Sequence, residues 1–313
     1  MRMKKAIRDS YGEALAELGR EHSFYVMDAD LAGATKTSTF KKAFPERFFD
    51  FGIAEANMFG HAAGIAASGM PVFASTFSSF AAGRAYDQIR NSIAYPHNHV
   101  IIGATHNGVL LGADGGSHQC LEDLALMRAI PGMTVICPGD DRETRAFVRA
   151  ALLETDGPVY LRLGRSAVED VFPEGTEFRI GKGNVVVDGT DAVLFSVGET
   201  LFRAADAAKK LQEKGVSLAV VSLASVKPID SELVVQYAKK TGHVFTLEDH
   251  NVFGGLGSAV CEVLCREYPA KVTMLGVQDE FGMSGSTEEL AKIYGLDSES
   301  VAAKILKLLE KGE

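Results

Sequence analysis

The sequence predicts an α/β protein of two domains, each a mostly parallel, twisted sheet flanked by helices. Three observations lead there. Short runs rich in β-branched and aromatic residues alternate with amphipathic stretches along the chain, the pattern that puts helices on both faces of a parallel sheet. Between Ser166 and Gly189 turn residues (Pro173, Gly175, Gly181, Gly183) interrupt any regular period, after which the alternation restarts. A chain of 313 residues accommodates two units, since domains run to roughly 100–200 residues.

In the first unit the predicted strands are 24–27, 48–51, 71–75, 100–104, 134–137 and 159–163. At the N-terminus Ile7, Tyr11, Ala14, Leu15 and Leu18 recur at helical spacing, which marks a helix of the mature fold rather than a secretion signal. In the second unit strands are expected at 192–196, 218–221, 244–247 and 272–275. A helix over 199–214 stops at Gly215, and Asp297 or Ser298 can cap a last helix running to about 310. The resulting division is a first domain over 1–167, a linker over 168–189 and a second domain over 190–313.

Composition narrows the class of function. With 46% hydrophobic and 23% charged residues the chain has the balance of a folded globular protein, without the bias of disorder. A net charge of −9 opposes generic attraction to nucleic acid or an anionic membrane, so an anionic ligand must be held by a few local cations. No apolar run approaches the roughly 20 residues that cross a bilayer. Four cysteines, of which only Cys261 and Cys265 are close, fit a reducing cytoplasm.

Ligands of open α/β sheets gather where strands run into the following helix. Three such loops carry chemistry. In Gly52-Ile53-Ala54-Glu55-Ala56-Asn57-Met58, Glu55 enters the first turn of a long helix, where a carboxylate either complements the helix dipole or faces a ligand. In the segment after strand 71–75, Phe77 and Phe80 stand three apart at a helix start, as core or as a wall for a planar ring. The third loop, His106 to Gln119, holds four glycines, Asp114 and the histidines His106 and His118, which favours a ligand-binding role over a plain connector. No Walker A sequence is present, Gly254 to Ala259 is a poor dinucleotide fingerprint, and His118 with Cys120 is only a fragment of a metal site. No metal ligation by this chain is expected.

In order, the Glu55 loop, Thr76-Phe77 with Phe80, Ala104-Thr105-His106, Gly112-Ala113-Asp114-Gly115-Gly116-Ser117-His118-Gln119 and Leu163-Gly164-Arg165 resemble the pyrimidine-binding domain of transketolases. Glu248-Asp249-His250-Asn251 followed by Gly254-Gly255-Leu256-Gly257-Ser258-Ala259 is similar to their C-terminal domain. The resemblance implies transfer of a two-carbon ketol unit between sugar phosphates with thiamine diphosphate. It implies that Glu55 hydrogen-bonds the coenzyme's aminopyrimidine nitrogen, favouring the imino tautomer that takes the thiazolium proton, with Phe77 and Phe80 flanking the ring. It further implies His106 and His118 at the reacting end of the sugar, Asp114 on a sugar hydroxyl and Arg165 on the terminal phosphate. Lys36 falls where transketolases carry a second phosphate-binding cation.

Two departures shape the expectation. The family's Glu-Asp-Gly-Pro-Thr-His becomes Ala113-Asp114-Gly115-Gly116-Ser117-His118, which leaves the acceptor sugar open. The Gly-Asp-Gly motif through which such enzymes hold diphosphate and magnesium does not occur in this sequence. The expected protein is therefore the C-terminal subunit of a split transketolase, active with an N-terminal partner that ligates magnesium, in an assembly of two copies of each. Rival readings are the corresponding subunit of a deoxyxylulose phosphate synthase-like or 2-oxo acid dehydrogenase beta-like enzyme, and a non-catalytic regulatory paralogue.

Overall fold

The computed structural model describes residues 4–311. The first half contributes strands β1 (Lys4–Ala6), β2 (Tyr25–Asp28), β3 (Phe48–Asp50), β4 (Val72–Phe77), β5 (Val100–Thr105), β6 (Thr134–Ile136), β7 (Val159–Leu163) and β8 (Ala167–Glu169). The second half contributes β9 (Asn184–Val187), β10 (Ala192–Ser196), β11 (Leu218–Ser222), β12 (Ser225–Lys227), β13 (Val244–Asn251) and β14 (Val272–Val277). A seven-stranded sheet has the order β12-β6-β7-β5-β4-β2-β3, parallel except for β12 on its edge. A five-stranded sheet has the order β14-β13-β10-β11-β9, parallel except for the edge strand β9. β1 and β8 form a separate antiparallel ribbon.

The central strands β4, β5 and β7 are buried throughout because helices cover both faces. In β5, Ile101 packs with Tyr11, Leu15 and Phe147 on one side, while Ile102 packs with Met58, Phe59 and Ala62 on the other. In the second sheet, Leu194 faces the helices Leu201–Gln212 and Ser298–Lys311, and Val193 and Phe195 face Ser231–Thr241 and Leu256–Glu267.

Several boundaries differ from the sequence reading, each for a local reason. β4 runs on through Thr76 to Phe77, so Phe77 ends a strand, and only Phe80 lies in the helical turn Ser79–Arg84. The stretch 168–189 is not wholly irregular, because β8 and β9 occupy its two ends. The helix expected over 199–214 starts with a tight turn, Gly198–Thr200, and becomes regular over Leu201–Gln212. Asp297 caps the last helix, its carboxylate accepting from the amides of Glu299 and Ser300.

The two sheets are stitched by more than the chain. β12 belongs to the second half yet pairs with β6. Glu143 accepts from Ser222 (2.9 Å), Glu199 accepts from the amide of Ser166, and Asp249 accepts from the amides of Val109 and Leu110. At the middle of the seam, Arg162 is 3% exposed, pairs with the fully buried Asp123 (2.8 Å) and donates to the carbonyl of Asp249 (2.9 Å). Tyr160 donates to the same Asp123 carboxylate. Breaking a buried pair leaves an uncompensated charge, so Arg162→Met is expected to cost about 3–5 kcal/mol of unfolding free energy. Urea denaturation reads this directly, and a second substitution, Asp123→Asn, is expected to return part of the loss.

Candidate active site

Parallel pairing brings five strand ends to one edge, and every residue singled out from sequence follows one of them. Lys36 follows β2, Glu55 follows β3, Phe77 and Phe80 lie at the end of β4, the loop His106 to Gln119 follows β5, and Arg165 follows β7. Separations of tens of residues in sequence collapse to side-chain contact.

Glu55 opens the helix Glu55–Ala67 and is 1% exposed. One carboxylate oxygen, Oε2, accepts from Arg84 (2.8 Å), whose guanidinium also lies over the Phe80 ring at 4.5 Å. Phe80 stacks on Phe77 with centroids 5.7 Å apart, and Phe77 stacks on His106 at 3.9 Å. His118 meets the edges of both phenyl rings at 5.6 and 6.1 Å. A buried carboxylate, an aromatic wall and two imidazoles therefore form one surface.

His106 holds the centre. Its backbone has φ +58, a left-handed conformation that a side chain with a Cβ adopts at a cost. Arg8 approaches Nε2 at 3.0 Å, and a guanidinium can only donate, so Nε2 accepts and Nδ1 carries the proton toward Thr105 Oγ1 (2.9 Å). Burial, followed by the charges of Arg8, Arg165, His118 and Lys36, lowers its pKa from 6.5 to about 3. The imidazole is neutral at neutral pH.

Those surrounding cations concentrate positive charge locally in a chain whose net charge is −9. Arg165 donates to the Leu111 carbonyl (2.9 Å) and faces Asp114 at 3.3 Å. It lines a cavity of about 430 Å³ between the loop at Leu111 to Ala113 and the second domain's Gly285 to Glu288. Arg8, which sequence reasoning overlooks, donates to the Ala34 carbonyl as well as meeting His106. A cation in the first turn of a helix opposes the helix dipole, and that is its one signal. Lys36 sits at the margin, paired with Asp9 at 3.0 Å. Beneath this corner, buried Asp28 accepts from Thr35, Thr37 and the amide of Leu31, which fixes the loop carrying Ala34 and Lys36. Burial pushes the Asp28 pKa up to about 6.

The model of the transketolase pyrimidine-binding domain matches residues 3–170, and that of the transketolase C-terminal domain matches residues 181–301. The chain belongs to the transketolase family. Among transketolases it is 47% identical to a putative transketolase C-terminal section of Methanocaldococcus jannaschii, over 98% of this chain and 97% of that one. It is 38% identical to a subunit of the apulose-4-phosphate transketolase of Phocaeicola vulgatus, over 98% of both chains. The solved structure of an inactive β4 tetramer of a split-gene transketolase shares 50% identity and superposes with a TM-score of 0.90, covering 97% of this chain and 98% of that one. A transketolase pyrimidine-binding domain implies thiamine diphosphate as the coenzyme. Among the described residues of this transketolase chain, no helix is long and apolar enough to cross a membrane, and no group of three or more His, Cys, Asp or Glu side chains could hold a metal ion.

The His106 environment has a definite sign. Its folded pKa lies below its ordinary value, so as pH falls the unfolded chain takes up the proton first, and stability is lost from 6.5 down toward about 3. Nuclear magnetic resonance titration of the ring is expected to find His106 neutral across that interval; an inflection near 6.5 would show that the ring is neither buried nor surrounded by the cations.

Proposed function

We propose that this chain is the C-terminal subunit of a split transketolase that moves a two-carbon ketol unit between ketose and aldose phosphates. It works with thiamine diphosphate and an N-terminal partner chain that holds the diphosphate through magnesium, as a cytoplasmic assembly of two copies of each. The observation that carries this reading is the convergence of Glu55, the aromatic wall and the Arg8 and Arg165 cations at one sheet edge. The full-length match to relatives named as a section or a subunit of a transketolase supports the split arrangement. The related β4 tetramer, named inactive, supports dependence on a partner.

The residues present fit the coenzyme's pyrimidine. Among the described residues Glu55 Oε1 has no hydrogen-bond partner, which leaves one oxygen of this carboxylate for a ring nitrogen. Arg84, half exposed, bridges Glu55 and Phe80, so a planar ring that meets both takes the guanidinium's position. Thiamine diphosphate, when bound, supplies the nucleophilic carbon that carries the two-carbon unit.

What this chain does around that carbon follows from its own groups. Glu55 holds the ring nitrogen in a site dry enough for the hydrogen bond to bias its tautomer. Arg165 and Arg8 grip the terminal phosphate, Arg165 with the planar fork suited to it. His118, steadied by Ser117 at 2.9 Å, donates toward the sugar oxygen on which charge develops. Neutral His106 offers an uncharged surface beside it, and Asp114 is left to read a sugar hydroxyl.

The assembled pair is expected to turn over xylulose 5-phosphate with ribose 5-phosphate, and this chain alone is expected not to. Turnover with pyruvate only would assign it to a synthase instead. Within the active complex, Glu55→Gln is expected to lower kcat by about 100-fold or more while circular dichroism and assembly stay unchanged.

A further inference from the structure

The loop from His106 to Gln119 carries three of the proposed sugar-facing side chains, and its own Gln119 ties part of it by donating to the carbonyls of Val109 and Gly112. Gly108, Gly112 and Gly115 all have positive φ, and glycine surrenders more backbone freedom on ordering than any other residue. The second domain adds its own restraint to those of Gln119, Arg165 and Ser166. Asp249 Oδ1 accepts from the amide of Val109 (2.8 Å), and Oδ2 from the amide of Leu110 (3.0 Å). Thr287 donates to the Leu110 carbonyl (3.1 Å), and Ser284 donates to the Ala113 carbonyl (2.6 Å).

Of these contacts the one from Asp249 differs in kind. It is a carboxylate, 3% exposed, with both oxygens engaged by consecutive backbone amides, and charge-assisted bonds of this type are about twice as strong as neutral ones. Strand alternation along β13 explains how it gets there: Glu248 and His250 lie toward Gly255, so Asp249 emerges on the opposite face. The fit is close enough to dictate the residue opposite. Gly108 has φ +68, and a Cβ there would overlap the Asp249 carboxylate.

We propose that Asp249 is a positioning residue for the sugar site, acting through the Val109 and Leu110 amides to fix where the loop presents His106, Asp114 and His118. The assignment rests on the reading of that loop as sugar-binding. It makes the second domain part of the geometry of a site whose side chains all belong to the first. Glu55, Phe77 and Phe80 leave other strands and receive no bond from Asp249, so its effect on the coenzyme's ring is indirect, through the contacts of His106 and His118 with the two phenyl rings.

The test is Asp249→Asn in the full chain, assembled with its N-terminal partner. An amide keeps the shape but offers one acceptor oxygen in place of two, leaving a buried N–H unpaired. The expected result is a fall of about 10- to 100-fold in kcat/KM for the sugar phosphates, mostly through KM, with a much smaller change in coenzyme affinity. Gly108→Ala is expected to give the same split, and the two changes together to be non-additive. Hydrogen exchange of the free chain provides a readout that needs no activity: amides 109–119 should exchange faster in Asp249→Asn while β4 and β5 keep their protection. Equal loss of sugar and coenzyme binding would overturn the proposal by showing a general structural defect. Unchanged sugar kinetics with unchanged loop exchange would overturn it as well. If the wild-type complex transfers no ketol unit, the functional reading fails, and exchange still decides whether Asp249 holds the loop.

Discussion

Five parallel strands, β3, β2, β4, β5 and β7, lie side by side with their carboxyl ends on one edge, and this shared direction is the constraint on which the site depends. Parallel neighbours cannot be joined by tight hairpins, so each strand hands the chain to a helix that returns across a face. The hand-over points are then loops whose backbone can adopt special conformations, and they are gathered in one row. Positive φ at Lys36, His106, Gly108, Gly112 and Gly115 falls in these loops, whereas the central strands β4, β5 and β7 beneath are fully buried. Precision at the site therefore derives from the frame and variety from the loops.

Electrostatics divides the row into two ends. Toward β3, Glu55 stands with a single half-exposed cation over an aromatic surface, an environment suited to a neutral heterocycle. Toward β5 and β7, Arg8 and Arg165 surround an imidazole that their charge and burial keep unprotonated. A third positive charge there would repel its neighbours, and a neutral ring lets the two guanidinium groups stay close. An anion that binds at this end meets cations whose mutual repulsion it relieves.

Much of the frame is legible in sequence because strands buried on both faces read as continuous apolar runs; Val100 to Ala104 is the plainest case. β8, β9 and β12 escape detection because each has only three or four residues, and two of them sit on sheet edges, where pairing rather than composition makes the strand. Phe77 is misplaced by sequence for a related reason: Thr76 and Phe77 are good strand residues, and nothing local distinguishes the last ladder position from the first loop position. Side-chain identities in the site are visible as a series of loops, whereas their mutual contacts are not. Arg8 meets His106 across 98 positions, and Asp249 meets Val109 across 140. Only topology brings these pairs together. Lys36, selected for its place in a motif, turns out to be engaged by Asp9, while the cation in contact with His106 is Arg8.

The seam between the sheets shows why such distant pairs can be trusted to hold. Apolar packing alone would leave the second domain free to slide, since contacts between greasy surfaces are weakly directional. Glu143, Glu199 and Asp249 each reach across, and burial raises their pKa values to about 8, 8 and 6. Keeping carboxyl groups where water would solvate them better opposes stability, so their presence is offset by something other than net energy. Directional bonds to specific backbone amides and one hydroxyl provide it, because any other register leaves those groups unpaired in a dry interface. The sign of the shifts follows: these raised values mean the folded chain binds protons more tightly than the unfolded one, so the seam is strongest below the ordinary carboxylate range and weakens as pH rises from there through 6 to 8. Arg162 counters that trend by placing a permanent cation beside Asp123 and the Asp249 backbone. A seam built this way exchanges some stability for a single alignment of the two sheets.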